Sequence, residues 1–270
     1  MAEGSCGDDA REALRYPFDQ IAALYDRARP NYPEQLFDDL FALGSLRPGT
    51  RVLEIGCGTG QASRPLARRG CRLVCVELGE KLAEIARLNL VDFPLVDVVT
   101  ASFDTWEPPG VDFDMVFAAS AWHWLDPSTR YGKAARLLKP GALLALVTGG
   151  HAFPKGFDPF FTDIQGCYDA IGEGFGKWPP PTPEEIPDER QAIEGSGLFE
   201  DVRVGRYLWT VDYTADSYID LLNTYSGHIA MNKSKRDLLC AEIRQRISVR
   251  PSGQVRKHYL SILHIARLRR

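Results

Sequence analysis

A short apolar run that ends in a glycine-rich loop, RVLEIGCGTGQAS at residues 51–63, constrains this chain more than any other feature. A strand that stops on Gly56, Gly58 and Gly60 and restarts as a helix exposes bare backbone to a ligand. A dinucleotide fingerprint has the spacing Gly-x-Gly-x-x-Gly, but here Gln61 stands at the last position and Gly60 comes one residue early. Glu54 lies two residues before the loop, and Glu77 lies seventeen residues after Gly60. A carboxylate at the second of these positions can accept from both ribose hydroxyls of a nucleotide. A cap on the following helix is the plainer use for Glu77.

The segments around the loop alternate in type. RVLEIG (51–56), CRLVCVEL (71–78), VDVVTAS (96–102), FDMVFAAS (113–120) and GALLALVTGG (141–150) are short apolar runs expected to be strands. Helical patterns fall between and before them, over residues 19–29, 33–44, 81–90 and from Asp126 to about Leu138. Nearly all-apolar strands separated by helices predict a parallel sheet covered on both faces, with right-handed crossovers. Its ligand belongs at the carboxyl ends of the strands, near the switch in strand order.

After residue 150 the pattern changes. Residues 156–175 read as a helix, 177–189 as a proline-rich surface loop, and 202–213 as an alternating strand. Helices follow over about 215–226 and 233–247, and HYLSILHIAR (258–267) reads as a final strand. The expected organisation is one domain over 15–270. It comprises a core (45–150), an inserted lid (151–195) rich in Phe, Trp and Pro, and C-terminal strands and helices (196–270). Residues 1–14 are expected to be a disordered tail.

With 270 residues, 44% of them hydrophobic, the chain can bury one substantial core. A net charge of −4 gives no overall cationic field for nucleic acid, although basic residues outnumber acidic ones from Lys233 onward. The six cysteines form no disulfide framework or zinc spacing, which implies free thiols and no metal. No apolar run approaches membrane-spanning length and the first residues are polar, so the expected setting is cytoplasmic. Oligomeric state is not written in the sequence.

VLEIGCGTGQ, VCVEL, FDMVFAASAWHWLD and LLKPGALLALV together resemble the class I S-adenosylmethionine-dependent methyltransferases. YDRARPNYP, AWHWLD and LLNTYSGH resemble its small-molecule branch, which includes the trans-aconitate methyltransferase-like enzymes. The resemblance implies an α/β, Rossmann-like, doubly wound seven-stranded sheet, mostly parallel, with its last strand antiparallel. It also implies the cofactor S-adenosylmethionine, the product S-adenosylhomocysteine and a small-molecule acceptor. Gly56, Gly58 and Gly60, with Cys57 between them, would pass under the methionine part, and Glu54 before them would orient the loop amides or offset the ligand's positive charge. Glu77 would hold the ribose beside Leu78. Ser102 and Phe103 would flank the adenine with Asp104 nearby, and Ala119 and Ser120 would flank the sulfonium. Tyr25 and Arg29 would fold over the cofactor, with Arg29 paired to its carboxylate.

Methyl transfer from a sulfonium depends mostly on holding nucleophile, methyl and sulfur in line and dry. His123 is the candidate general base for a hydroxyl acceptor, and a histidine that merely shapes the pocket explains it as well. A carboxylate oxygen would need no base. Trp124, Trp178, Tyr225 and His228 are the candidate acceptor contacts. Two other readings stand beside this one: a nicotinamide-dependent oxidoreductase, and a non-catalytic cofactor-binding or RNA-associated protein.

Overall fold

The computed structural model describes residues 18–108, 110, 112–174, 178 and 180–270; the tail expected over 1–14 lies outside them. Helices α1 (Ala22–Ala28) and α2 (Glu34–Gly44) precede an alternating series. That series is β1 (Arg51–Ile55), α3 (Ser63–Arg68), β2 (Arg72–Glu77), α4 (Glu80–Asn89), β3 (Val96–Thr100) and β4 (Phe113–Ala119). A 3-10 turn at Trp122–Trp124, α5 (Arg130–Leu137) and β5 (Leu138–Ala152) complete it. Then come α6 (Phe160–Asp163), α7 (Gln165–Ala170), α8 (Arg190–Gly195) and β6 (Phe199–Thr214). The chain ends with α9 (Ala215–Leu222), α10 (Ser226–Ala230), α11 (Lys233–Ser248) and β7 (Gln254–Leu268).

The strands form one seven-stranded sheet in the order β3-β2-β1-β4-β5-β7-β6. The first five pair in parallel, and β7 runs antiparallel between β5 and β6. This is the expected doubly wound sheet with its last strand reversed. Strand order reverses between β1 and β4, so a crevice opens past their carboxyl ends.

Alternation along each strand builds two cores. Val52, Met115, Phe117 and Ala145 pack on one face with Leu36, Phe37 and Leu40 of α2. Leu53, Val116, Ala118 and Leu144 pack on the other with Leu137 of α5 and Ile193 of α8. Both faces are buried, which is why these runs read as continuously apolar.

β5, β6 and β7 are 15, 16 and 15 residues long, far longer than β1 to β4. Their extra length carries a third core, where Phe160, Phe161 and Tyr168 meet Tyr218, Leu222, Leu239 and Tyr259. The segment after β5 therefore packs with α9 and α11 as a cap. Several boundaries differ from expectation, with β5 and β7 running beyond the 141–150 and 258–267 read for them. The helix read over 156–175 breaks into α6 and α7, with Ile164 at the junction, and Phe175 lies outside the described residues. The helix after Asp126 starts at Arg130, because the Asp126 carboxylate accepts from the Ser128 backbone N–H and holds a turn there.

Candidate functional site

β1 delivers the chain to Gly56, whose backbone N–H donates to the Val76 carbonyl at 2.7 Å. Gly56 has φ +66°, and a Cβ there would stand 2.6 Å from the Cβ of Ala121, so only glycine fits. The next strand end supplies the fastening. Glu77 accepts from Gly58 N at 2.8 Å through one carboxylate oxygen and from Gly79 N at 2.9 Å through the other. Burial pushes the Glu77 carboxyl upward, and those backbone donors pull it back.

A cavity of about 750 Å³ lies over this loop. Gly56, Gly58, Glu77 and Leu78 line one side, and Ser102, Phe103 and Asp104 line the wall after β3. Ala119 and Ser120 close the end of β4, with His123 and Trp124 beyond them. Ser120 holds the left-handed conformation at φ 55°, uncommon for a non-glycine residue, and its Oγ accepts from the Tyr32 hydroxyl at 3.0 Å. His123 is exposed at the cavity's edge, its ring 4.8 Å from that of Trp124.

Tyr25 and Arg29 come over the top from α1. The Arg29 guanidinium sits between the rings of Tyr25 and Tyr225, 5.0 and 4.7 Å from their centroids. One terminal nitrogen donates to the Thr224 carbonyl at 2.7 Å, while its buried Nε has no hydrogen-bond partner among the described residues. Asp19 also lines the cavity and accepts from Lys81 N and Leu82 N, capping α4.

A smaller chamber of about 200 Å³ adjoins this one, sharing Tyr25, Arg29, Gly58, Ser120, Gly149 and Tyr225 with it. Glu54 and Cys57 line its loop side. Glu54 is 1% exposed, and burial raises its carboxyl to about 7 despite hydrogen bonds from Ser63 and Cys75. Tyr32, His151, Trp209, Tyr259 and Ser261 line the rest.

Of the residues singled out from sequence, the structure gathers all but three around these two spaces. Gly60 does not line either; a Cβ on it would stand 3.4 Å from Leu90, the residue after α4. Trp178 packs edge-on against Phe153 and Phe157 in the cap. His228 is buried there too, its Nε2 3.0 Å from the Tyr168 hydroxyl, and burial lowers it to about 4. Sequence reasoning missed His151, Trp209, Tyr259 and Ser261. Their one signal is alternate spacing on late strands, legible only once the strand register is known.

Comparison with known proteins gives this geometry its family. Residues 53–146 match the family described as "Methyltransferase domain". The chain carries a class I, S-adenosylmethionine-dependent methyltransferase domain. This methyltransferase is 26% identical over 246 residues to an uncharacterized methyltransferase of Mycobacterium tuberculosis, covering 90% of each chain. It is 34% identical over 142 residues to a ubiquinone biosynthesis O-methyltransferase of Xanthomonas campestris, across 48% of this chain and 59% of that one. Its fold is similar to a solved type II methyltransferase from Anaeromyxobacter dehalogenans, with TM-score 0.63, 24% identity, and coverage of 90% and 99%. It is also similar to Haemonchus contortus phosphoethanolamine N-methyltransferase 2, solved with phosphomonomethylethanolamine and S-adenosylhomocysteine. That likeness has TM-score 0.56 at 15% identity, spanning 98% of this chain and 61% of the other. The family match sets aside the nicotinamide-dependent alternative.

Proposed function

We propose that the chain transfers a methyl group from S-adenosylmethionine to an oxygen of a small molecule. The observation that carries this reading is the pair of adjoining spaces, one sized and equipped for the cofactor and one for a small acceptor. Glu77 and the glycine loop suit a ribose and a methionine chain. Leu78 and Phe103 offer apolar surface to an adenine, with Asp104 beside them. The unpartnered Nε of Arg29 suits the cofactor's carboxylate. Glu54, near the end of β1, lines the acceptor side. Ala119 and Ser120 leave room where the two spaces meet. When bound, the cofactor supplies an electrophilic methyl group on a sulfonium.

Oxygen as the acceptor atom is supported by the relatives named O-methyltransferases. Tyr225 lines both spaces and Trp124 lines the larger one. His123, exposed on the cofactor side, is better suited to shaping that side than to taking an acceptor proton in a dry site. Buried free thiols at Cys57, Cys71, Cys75 and Cys167 fit a reducing, cytoplasmic setting. No helix among the described residues is long and apolar enough to cross a membrane.

Incubation with tritium-methyl S-adenosylmethionine and a panel of small phenols and carboxylic acids tests the reading. Label that becomes volatile in base marks a methyl ester, and base-stable extractable label marks an ether. Transfer to neither class, from protein shown to bind S-adenosylhomocysteine, would overturn oxygen methylation.

A further inference from the structure

The inner chamber holds a histidine that the sequence reading did not single out. Gly149 and His151 are alternate residues of β5, and Tyr259 and Ser261 are alternate residues of β7. The register sets Gly149 opposite Ser261, His151 opposite Tyr259, and Trp209 of β6 opposite Tyr259. All five therefore share one face of the long three-stranded ribbon, and that face is the chamber wall. Gly149 is obligatory there: its φ is +133°, and a Cβ would collide with the Leu260 carbonyl oxygen.

The polar groups of the chamber are mostly engaged. The Tyr259 hydroxyl is 2.7 Å from that of Tyr213, Tyr32 donates to Ser120, and Trp209 donates from Nε1 to the Ser261 hydroxyl. The Gln61 amide donates to Thr59. His151 differs, since its buried Nε2 has no hydrogen-bond partner among the described residues. Its ring is held by Phe153 at 4.0 Å and by Phe161 at 4.5 Å between centroids.

Resting on the methyltransferase reading and sharpening its acceptor, we infer that His151 is the base that accepts the proton of a single-ring phenol or enol seated in the inner chamber. Trp209 and Tyr259, stacked 4.7 Å apart, and Tyr225 give a flat acceptor aromatic walls. About 200 Å³ suits one substituted ring, since an apolar cavity of roughly 150 Å³ accepts benzene. With its proton on Nδ1, the imidazole presents a lone pair at Nε2.

The acceptor's O–H bond breaks with its proton going to Nε2. The oxygen pair forms the bond to the methyl carbon, and the carbon–sulfur pair leaves with sulfur as a neutral thioether. The imidazolium then loses its proton to water, so charge and atoms balance. Burial, then Lys257 and His258 of β7, hold His151 well below the ordinary histidine range, so its imidazole rests neutral with Nε2 unprotonated and takes the proton only as the methyl bonds to the oxygen. Glu54, Cys57, Tyr25, Tyr32, Tyr225 and Tyr259 are the other titratable groups bordering the chamber, and Arg29 brings a positive charge to it. Lys257 itself is enclosed by the rings of Phe161, Tyr225 and Tyr259, and burial drives its amine far below the usual lysine range.

Para-nitrophenol is the probe, because proton loss turns it yellow. Wild type saturated with S-adenosylhomocysteine is titrated with it in mildly acidic buffer, where the free phenol is mostly protonated. Calorimetry records binding in parallel. The expected result is binding and, with S-adenosylmethionine in place of the product, methyl transfer that in mildly acidic buffer is at least about tenfold slower in His151→Gln and approaches the wild-type rate above the pH at which the phenol ionises unaided. His151→Asn is the second variant, and retained S-adenosylhomocysteine binding certifies that each has folded. Failure of para-nitrophenol to bind would overturn the acceptor class. Equal rates in wild type and the variants, or a loss of the same size on both sides of that pH, would overturn His151 as base. If wild type bound no S-adenosylhomocysteine, the broader reading would fail instead, and the two failures are separable.

Discussion

The Glu77 carboxylate at the end of β2 holds the Gly58 amide of the glycine loop at 2.8 Å. Its second oxygen holds Gly79 at 2.9 Å, so one side chain ties the loop to the start of α4. Each oxygen keeps lone-pair capacity for a ribose hydroxyl. Glu77→Ala is expected to weaken S-adenosylhomocysteine binding by about tenfold or more, through lost charge-assisted hydrogen bonds and a loosened loop. Calorimetric titration checks this; unchanged affinity would remove Glu77 from the binding site.

Arg29 is separable from Glu77 by the choice of ligand. If its guanidinium pairs with the amino-acid end of the cofactor, Arg29→Met weakens S-adenosylhomocysteine binding by roughly tenfold to a hundredfold. Binding of methylthioadenosine, which lacks that end, stays the same. Equal losses for both ligands would mean that Arg29 only props the Tyr25 and Tyr225 rings.

Glu54 sets a pH dependence of stability in one direction. Its folded carboxyl is raised to about 7, above the unfolded carboxylate range, because burial disfavours its charge. The native state therefore binds a proton that the unfolded state has released, and stability falls as pH rises through that interval. Glu54→Gln removes this loss, worth up to ~3 kcal/mol above neutral pH. Denaturant unfolding at pH values on either side of the interval measures it. A mutant as pH-sensitive as wild type there would contradict the assignment.

His228 acts in the opposite direction. Burial lowers it to about 4, so between the ordinary histidine value and 4 the unfolded chain binds a proton that the native chain refuses. Stability is then lost as pH falls through that window, by up to ~3 kcal/mol from this group. His151 and His264 are lowered in the same direction by burial. In Glu54→Gln, which lacks the opposing carboxyl, acid unfolding should therefore begin near pH 6, well above the range in which ordinary carboxylates titrate. A stability that stayed flat down to that range would sink this account.

The parallel half of the sheet was legible because its signals are local. Val52 through Ile55, the three glycines and Glu77 lie within one strand–helix–strand unit, and apolar alternation cannot hide there. The inner chamber was not legible for the converse reason. His151, Trp209 and Tyr259 meet through antiparallel register between strands far apart in the chain. Nothing in the neighbourhood of any one of them announces the other two. Trp178 and His228 lie in the cap, outside both spaces. A cap hung from the ends of three long strands has to build its own apolar centre, and it draws on the aromatic residues that composition alone would assign to a pocket.

Calorimetric titration of the purified protein with S-adenosylhomocysteine, with NADH as control, tests the central claim most directly. The account predicts one-to-one micromolar binding of S-adenosylhomocysteine and none of NADH. Binding of NADH alone, or of neither ligand, would contradict it.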